Sequence, residues 1–356
     1  MVEQLRRAVT GGIGTYVHGL LQGLCAMGEA APAVALHASR AQTRPDPLAA
    51  LGPPLRHSVL PGPMLTRAWD RGLLGAPGPA DVMHATSLAF PAPAKSPPLA
   101  VMVHDLAWRR VPEAYPVRGR HWHEAALQRA ISGARLMVVP AASAAEDLMS
   151  AGVPAERIEI VEEGCDHLPP ADTGAARALL DGLGVSDGFL LTVGTVQPRK
   201  NLRRLLEAYG LARPDLAEPW PLVVVGPDGW GNPIPDSAVP PGTVFAGEVR
   251  GATLAGLYRL SRCLAFVPLV EGFGLPPVEA MREGTPVVAS PIPSTGGAAL
   301  EVDPFDTAAM AAALVAAASD EPLRSELSGA GRRRTEGMTW QAAAARHVEL
   351  WESLVR

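Results

Sequence analysis

The chain has 356 residues, a net charge of −5 and 47% hydrophobic residues, which is enough apolar content for two domain cores. No basic run marks a nucleic-acid-binding surface, and no apolar stretch reaches transmembrane length. The cysteines, Cys25, Cys165 and Cys263, are scattered without metal-ligand or disulfide spacing, which predicts a protein of the reducing cytoplasm.

Apolar strand-like runs alternate with segments of helical periodicity along the whole chain. This alternation predicts an α/β fold of parallel sheets wrapped by helices. The predicted strands are Asp81–Ala85, Leu99–His104, Leu136–Pro140, Ile158–Val161, Phe189–Val193, Leu222–Val225, Val244–Ala246, Cys263–Leu269 and Pro286–Ala289. The predicted helices are Thr15–Met27, Gly119–Ser132, Ala142–Ala151, Asn201–Leu211, Thr253–Ser261, Leu275–Arg282, Pro304–Ala318, Pro322–Thr335 and Trp340–Val355. The polar, turn-rich segment Leu168–Gly188 indicates a boundary between two domains.

Two features of the first half are candidates for function. Gly11 and Gly12 precede the first predicted helix, in a cluster that fits a phosphate-binding loop and equally a dinucleotide fold. The strand Leu99–His104 ends in a histidine followed by Asp105, which either orients His104 or holds the loop. His84 stands at a similar strand end, and we interpret it as a satisfied structural histidine.

The segment Trp108–His123 mixes arginines with aromatic residues. We interpret it as a solvated loop and a basic helix start. The alternative is a patch that binds the acceptor or a membrane surface, since aromatic faces suit sugar rings and arginines suit anionic lipid.

A loop with two cations follows the strand that opens the second half. Gly194 ends this strand, Arg199 and Lys200 lie in a short loop, and Asn201 suits the N-cap of the next helix. Two cations beside a helix start can hold a diphosphate and stabilise its charge as it departs. An isolated Arg-Lys pair is more often a solvated turn, but this pair lies at the same predicted sheet edge as Glu271.

The segment after strand Cys263–Leu269 predicts an anion site. Gly272 and Gly274 leave backbone N–H groups unshielded before the helix Leu275–Arg282, whose positive dipole end favours a phosphate. Glu271 and Glu279 flank this position with carboxylates that suit sugar hydroxyls. The simpler interpretation is that Glu279 only favours the helix dipole and the glycines only turn the chain.

These motifs carry a resemblance. EGFGLPPVEA resembles the acidic motif of the retaining family-four glycosyltransferases, GTPVVAS is similar to the strand that follows it there, and GTVQPRKNL is similar to their GT-x-x-P-R-K-N loop. The resemblance implies the GT-B fold, with two Rossmann-like parallel-sheet domains facing across a cleft. Residues 1–170 would form the acceptor-side domain, residues 185–338 the nucleotide-sugar-binding domain, and residues 339–356 a helix that crosses back to the first. The sequence alone equally allows an amphipathic helix on the second domain.

The resemblance also assigns residue roles. The catalytic set that it implies is Arg199, Lys200, Glu271 and His104. The donor-binding set that it implies is Gly11, Gly12, Gly194, Gly272, Phe273, Gly274, Leu275, Glu279 and Val249. In this scheme the cations neutralise the diphosphate, Glu271 and His104 meet the donor sugar, and Glu279 holds the ribose. The Gly11–Gly12 loop closes over the phosphates, and the backbone around Val249 meets the base.

Two departures of the chain from the family pattern bear on the first domain. The family begins with a complete buried strand before the glycine loop, and only Met1–Gln4 could represent it here, so we expect either an upstream start or a first domain without most of that strand. The asparagine that usually precedes Gly164 is Glu163, which puts the identity of the acceptor in doubt.

The resemblance implies a retaining, metal-independent hexosyltransferase without a cofactor, located in the cytoplasm or peripherally at the inner membrane surface. The first donor expected is GDP-mannose, and the acceptor is a hydroxyl group, lipid-linked or on an oligosaccharide. The alternatives are a non-catalytic sugar-nucleotide-binding subunit and an NAD-dependent oxidoreductase that uses Gly11–Gly14. A glycosidase is disfavoured, because Glu271 and Glu279 are not placed across a substrate bond.

Overall fold

The computed structural model describes residues 1–7, 10–43, 45–75, 78–91, 97–186, 188–231 and 234–356. The strands are β1 (Leu36–Ala38), β2 (Leu55–His57), β3 (Met83–Ala85), β4 (Leu99–Met102), β5 (Leu136–Val139), β6 (Ile158–Ile160), β7 (Leu190–Val193), β8 (Leu222–Val225), β9 (Thr243–Gly247), β10 (Cys263–Phe266), β11 (Val287–Ala289) and β12 (Leu300–Glu301). The α-helices are α1 (Gly11–Ala26), α2 (Gly62–Asp70), α3 (Ala107–Arg110), α4 (Val117–Gly133), α5 (Ala142–Ser150), α6 (Thr173–Gly182), α7 (Leu202–Ala212), α8 (Gly251–Leu260), α9 (Leu275–Arg282), α10 (Thr307–Ser319), α11 (Glu321–Thr335) and α12 (Trp340–Val355).

The chain folds into two compact units. Unit 1 consists of Met1–Arg109, Pro116–His167 and Thr339–Arg356, and unit 2 consists of Arg110–Tyr115 and Leu168–Met338. Helix α12 therefore belongs to the unit that the first half of the chain builds. The strand pairs of both units are parallel, which confirms the predicted α/β class with parallel sheets.

In unit 1, β1 pairs with β2, and a second sheet has the order β3-β4-β5-β6. Strands β4 and β5 are buried along their whole length, and this is why they appear in the sequence as continuous apolar runs. Helix α1 packs on α12 at glycines: a Cβ on Gly19 would lie 2.0 Å from the Trp340 ring, and one on Gly23 would lie 2.0 Å from the Trp340 carbonyl oxygen. Only glycine lets the two helices approach this closely.

The first residues lie between the two sheets of unit 1. The Met1 amino group donates to the His84 carbonyl at 2.7 Å, and Val2 N donates to the His37 carbonyl at 2.9 Å. A 3₁₀ turn, Glu3–Arg6, follows, so the described residues near the start include no regular strand. An apolar cavity of about 880 Å³ lies at this junction, with Leu36, Met83 and Val348 in its lining.

In unit 2 the sheet order is β12-β11-β10-β7-β8-β9. The chain builds outward from β7 through β8 to β9, then crosses over β7 to start the other half at β10. This change of direction opens a crevice at the carboxyl ends of β7 and β10, the position at which open α/β sheets bind ligands. The loops after β7 and β10 are the two segments that carry the predicted cations and Glu271.

Several predicted elements differ from the structure. The first helix begins at Gly11 rather than Thr15, and the strand that begins at Cys263 ends at Phe266 rather than Leu269. Strands β1 and β2 and helix α2 were not predicted. The segment Leu168–Gly188, predicted as a turn-rich linker, contains helix α6, which buries Ala176 and Leu180. Within the described ranges, no helix is both long and apolar enough to cross a membrane.

Candidate active site

The cation loop after β7 is hydrogen-bonded to the segment after β10. Leu269 N donates to the Arg199 carbonyl at 2.9 Å, and the Asn201 side-chain amide donates to the Val267 carbonyl at 3.0 Å. Gly194 turns the chain out of β7 with φ near +156°, and Pro198–Lys200 forms a 3₁₀ turn. These bonds hold Arg199 and Lys200 at the switch point of the sheet.

Asn201 differs from its predicted role. We expected its side chain to cap α7, but it makes no cap hydrogen bond; instead it also donates to the Pro304 carbonyl at 2.7 Å and accepts from Arg204 at 3.0 Å. Its backbone is left-handed with φ near +61°, a conformation that, in the part of the chain described, no other non-glycine residue adopts. Asparagine tolerates this region better than most residues. Asn201 therefore lies at the N-cap position of α7, as predicted, but its side chain ties together three segments instead of capping the helix.

Arg199 and Lys200 converge on one carboxylate. Lys200 Nζ lies 2.5 Å and Arg199 Nη1 lies 3.0 Å from the same oxygen, Glu271 Oε2. Arg199 also donates to the Val270 carbonyl at 2.9 Å, and the Lys200 ammonium lies 4.9 Å from the centre of the Phe266 ring. The exposed fraction is 11% for the Arg199 side chain, 18% for Lys200 and 12% for Glu271. The sequence thus predicted the cluster, but not that Glu271 would pair with both cations.

The two cations set the protonation state of Glu271. Burial by itself would raise the pKa of this carboxyl group, but the charges of Arg199 and Lys200 and their hydrogen bonds outweigh burial and lower the pKa from 4.5 to about 2. Glu271 is therefore ionised throughout the neutral range. The trio carries two positive charges and one negative charge, so it favours a further anion.

Helix α9 begins directly beside this trio, as predicted, at Leu275. Gly274 takes a left-handed backbone with φ near +97°, and a Cβ there would lie 2.8 Å from the Ile292 side chain. Ser294 fixes the turn, since its hydroxyl donates to the Gly274 carbonyl at 2.6 Å. The residues of this turn, Gly272, Phe273, Gly274 and Leu275, are all buried, and the predicted availability of their N–H groups to a phosphate stays a prediction.

Glu279 lies inside unit 2 with an unpredicted partner. Its side chain is 7% exposed, and the Tyr258 hydroxyl of α8 donates to Glu279 Oε2 at 2.7 Å. Burial raises the pKa of Tyr258 well above 10, so this hydroxyl keeps its proton and stays a donor. Nothing in the sequence indicates this pairing, because Tyr258 is one residue of an apolar helix, 21 positions from Glu279.

The predicted base-binding loop follows the edge strand of the sheet. Strand β9 ends at Gly247, and Val249 lies half-buried between Glu248 and Arg250, which form an ion pair with each other. The Gly247 carbonyl accepts from Gly226 N at 2.8 Å, which joins this loop to the end of β8. Val249 is therefore at the carboxyl edge of the sheet, on the β8–β9 side of β7.

Three predicted residues lie in unit 1. Gly11 and Gly12 form the first turn of α1 rather than a loop before it, and Gly11 has φ near +58°. His104 follows β4; its Nε2 lies 3.0 Å from the Thr86 carbonyl oxygen, and its Nδ1 lies 3.4 Å from Glu163 Oε1. The sequence identified Glu163 as a departure from the family, but not as the partner of His104.

Asp105 and His84 have structural roles. Asp105 Oδ1 accepts from Ala107 N at 2.9 Å, so Asp105 holds the loop that leads into α3. His84 is satisfied, as predicted: its two ring nitrogens lie 3.0 Å from the Tyr16 hydroxyl and 3.3 Å from Trp351 Nε1.

The acceptor-patch interpretation of Trp108–His123 does not fit the structure at Trp108. This side chain is 5% exposed and stacks on His123 with the ring centres 4.6 Å apart. Arg109 pairs with Glu124 at 2.5 Å. The Trp108 face is thus used inside the fold, and it is not an exposed platform for a sugar ring.

Comparisons with known proteins agree with this geometry. Residues 10–167 match the model described as Glycosyltransferase Family 4, and residues 188–320 match the model described as Glycosyl transferases group 1. The chain is a family-4-like glycosyltransferase of the GT-B fold. This assignment favours the predicted family over the oxidoreductase and glycosidase alternatives.

The relatives of this glycosyltransferase include mannosyltransferases. The O-antigen chain mannosyltransferase B of Escherichia coli is 29% identical over 263 residues, which are 70% of this chain and 69% of that relative. The serotype-specific mannosyltransferase WbdA of Escherichia coli is 29% identical over 51% of this chain and 23% of its own length. The D-inositol 3-phosphate glycosyltransferase of Rhodococcus opacus is 32% identical over 54% of this chain and 47% of its own. The matched regions thus span about a quarter and about half of the latter two relatives.

Solved structures support the fold of this glycosyltransferase. HepE of Anabaena, in complex with UDP and glucose, has a TM-score of 0.73 at 16% identity and covers 98% of this chain and 97% of its own. Sucrose-phosphate synthase of Thermosynechococcus elongatus has a TM-score of 0.70 at 19% identity and covers 97% and 94%, respectively.

Proposed function

We propose that this glycosyltransferase moves a mannosyl residue from GDP-mannose to a hydroxyl group of a lipid-linked or oligosaccharide acceptor, in the biosynthesis of a surface glycan or glycoconjugate. The observation that carries the donor chemistry is the convergence of Arg199 and Lys200 on Glu271 at the switch point of the unit 2 sheet. The similarity to O-antigen chain mannosyltransferase B over 70% of this chain supports the choice of mannose.

In this proposal the donor diphosphate lies against Arg199 and Lys200, beside the start of α9. Both cations neutralise the negative charge that builds up on the diphosphate as the glycosidic bond breaks. Glu271 remains ionised because its pKa is about 2, and it accepts hydrogen bonds from the sugar hydroxyls. Glu279, whose orientation Tyr258 fixes, accepts hydrogen bonds from the ribose.

We further propose that transfer retains the anomeric configuration and needs no metal ion. The bond between the anomeric carbon and the diphosphate oxygen breaks, and the acceptor oxygen bonds to the same face of the sugar. The acceptor proton passes to the departing phosphate. Arg199 and Lys200 supply the charge neutralisation for which other transferases use a divalent cation. The anomeric coupling in the NMR spectrum of the product tests retention, and turnover in excess EDTA tests metal independence.

A thermal-shift screen tests the donor first. A ligand at about 100 times its Kd stabilises the folded protein by roughly 2.7 kcal/mol, so a matching nucleotide gives a clear shift. We expect GDP and GDP-mannose to raise Tm more than UDP, ADP and their sugars. A response to UDP alone would contradict the guanine donor, without affecting the family.

A transfer assay with labelled GDP-mannose and a panel of lipid-linked and free oligosaccharides then separates catalysis from binding. A protein that binds a sugar nucleotide tightly but transfers or hydrolyses none of the donors would support the non-catalytic subunit instead. Cytoplasmic location and peripheral contact with the membrane stay predictions, and co-sedimentation with anionic vesicles tests the contact.

A further inference from the structure

His104 is held by two groups of unit 1, and both act through its ring nitrogens. The Thr86 carbonyl, 3.0 Å from Nε2, can only accept a hydrogen bond, so Nε2 carries a proton. Nδ1 then lies 3.4 Å from a carboxylate oxygen of Glu163. If the His104 ring were neutral, the lone pair of Nδ1 would point at that oxygen. In the imidazolium form, Nδ1 carries a proton and donates a hydrogen bond to it.

The surroundings favour the imidazolium. The His104 side chain is 17% exposed and Glu163 is 4% exposed, so little solvent screens the pair. Burial by itself would lower the pKa of His104, but the hydrogen bond and charge of Glu163, with smaller contributions from the Thr86 carbonyl and Asp105, raise it above 6.5.

Two other described titratable groups lie near His104, and both are uncharged at neutral pH. Tyr16 of α1 lies edge-on with its ring centre 5.0 Å from that of His104, and burial raises its pKa well above 10. Burial, followed by repulsion from His347, the Met1 amino group and His104, lowers the pKa of His84, on β3, well below 6.5. Among the described residues, Glu163 and Asp105 are therefore the carboxylates that raise the pKa of His104.

We propose that Glu163 is a positioning residue that keeps His104 as a fixed imidazolium at the end of β4. The part that His104 plays in transfer rests on the proposed function, whereas the Glu163–His104 pair does not. The family usually has an asparagine at position 163. The carboxylate of Glu163 in its place thus favours the protonated form of His104.

Two measurements on the full chain test the proposal. Protein labelled with ¹³C at the histidine Cε1 position is titrated by NMR, and the His104 signal is assigned by its loss in His104→Gln. Glu163→Gln is compared with Glu162→Gln, which removes the same charge from an exposed neighbour. We expect His104 to titrate at lower pH in Glu163→Gln and at an unchanged pH in Glu162→Gln.

The pH profile of kcat/KM gives the second measurement. With His104⁺ as the active form, kcat/KM falls as the pH rises through the pKa of His104. In Glu163→Gln this basic-side fall moves to lower pH, with near-normal kcat at acidic pH. Glu163→Asn, which restores the usual residue of the family, should behave like Glu163→Gln and replaces it if Glu163→Gln does not fold.

The results distinguish a failure of the Glu163–His104 proposal from a failure of the proposed function. An unchanged NMR titration of His104 in both Glu163 variants overturns the pair, whether or not the protein shows transfer activity. A moved titration with an unmoved activity profile overturns the positioning role. If wild-type protein transfers from no donor, the proposed function fails; the NMR titration still decides whether Glu163 holds the charge of His104.

Discussion

The two units hold their charged candidate residues differently. In unit 2, two cations share the single carboxylate of Glu271, and the three side chains together carry a net positive charge. In unit 1, one histidine meets one carboxylate and one carbonyl, so the pair is balanced when His104 is protonated. An incoming diphosphate can compete with Glu271 for Arg199 and Lys200, because both cations contact the same carboxylate oxygen.

This difference indicates a division of labour. The unit 2 trio is suited to bind and neutralise an anion, and its removal should cost most in catalysis. The unit 1 pair is suited to tune the charge of one ring, and its loss should alter the pH dependence more than the rate. We therefore expect variants of the unit 2 trio to lose more activity than variants of the unit 1 pair.

Lys200→Ala should have the largest effect. Removal of one charge-stabilising contact in an active site costs about 3 kcal/mol of activation free energy, so kcat should fall on the order of a hundredfold. Arg203→Ala, an exposed cation on α7, is the matched control and should keep its activity. Near-normal turnover of Lys200→Ala in a steady-state assay would place the chemistry elsewhere.

Gly164→Ala tests the stability of unit 1 near Glu163. A Cβ at this position would lie 2.3 Å from the Trp340 backbone nitrogen, so the start of α12 would have to move. We expect a loss of about 1–3 kcal/mol in the free energy of unfolding, as for other overpacked sites, measured by denaturant titration. Gly182→Ala is the control, since no atom lies within 4 Å of its added Cβ. An equal stability of the two variants would contradict the close approach of α12.

Tyr258→Phe tests the orientation of Glu279. The variant loses the hydroxyl that donates to Glu279 Oε2, and we expect KM for the donor to rise about tenfold, with kcat much less affected. Tyr209→Phe removes another buried hydroxyl, one that donates to the Trp220 carbonyl, and should leave KM unchanged. If the two variants have the same KM, Glu279 does not depend on Tyr258 for donor binding.

Glu271→Gln tests the linkage between charge and stability in unit 2. Because the folded pKa of Glu271 is lowered from 4.5 to about 2, its stabilising effect is complete above about pH 5 and is lost as the pH falls toward 2. The wild-type protein should therefore lose roughly 1 kcal/mol more than Glu271→Gln between about pH 5 and pH 3.5. Unfolding free energies measured at both pH values check this, and parallel pH curves for the two proteins would contradict the shared ion pair.

The sequence predicted unit 2 better than unit 1, for physical reasons. Fully buried parallel strands such as β8 and a Pro-Pro helix start at α9 leave strong local patterns, and the strand-end loops with Arg199 and Glu271 follow from the parallel topology. Strand β2 is only three residues long and mostly exposed, so it leaves no apolar run to recognise. In the segment Leu168–Gly188, the flanking prolines and glycines concealed the period of α6.

The site was predictable as a set of residues, but its internal pairing was not. That Arg199 and Glu271 meet follows from the order of the strands. Three pairings depend instead on side-chain directions and on packing between distant segments. They are the contact of Lys200 with the same oxygen, the bond from Tyr258 to Glu279, and the contact of Glu163 with His104. No local motif contains that information.

The place of α12 in unit 1 has a consequence for biosynthesis. The start of α12 packs closely against three glycines of unit 1, Gly19, Gly23 and Gly164. These contacts join distant parts of the chain: the nearby hydrogen bond between Asp166 and Trp340 spans 174 residues. Contacts of such long sequence separation form late, and a nascent chain folds from its N-terminal end. The half of the protein that leaves the ribosome first must therefore wait, with these glycines uncovered, until all of unit 2 has been translated.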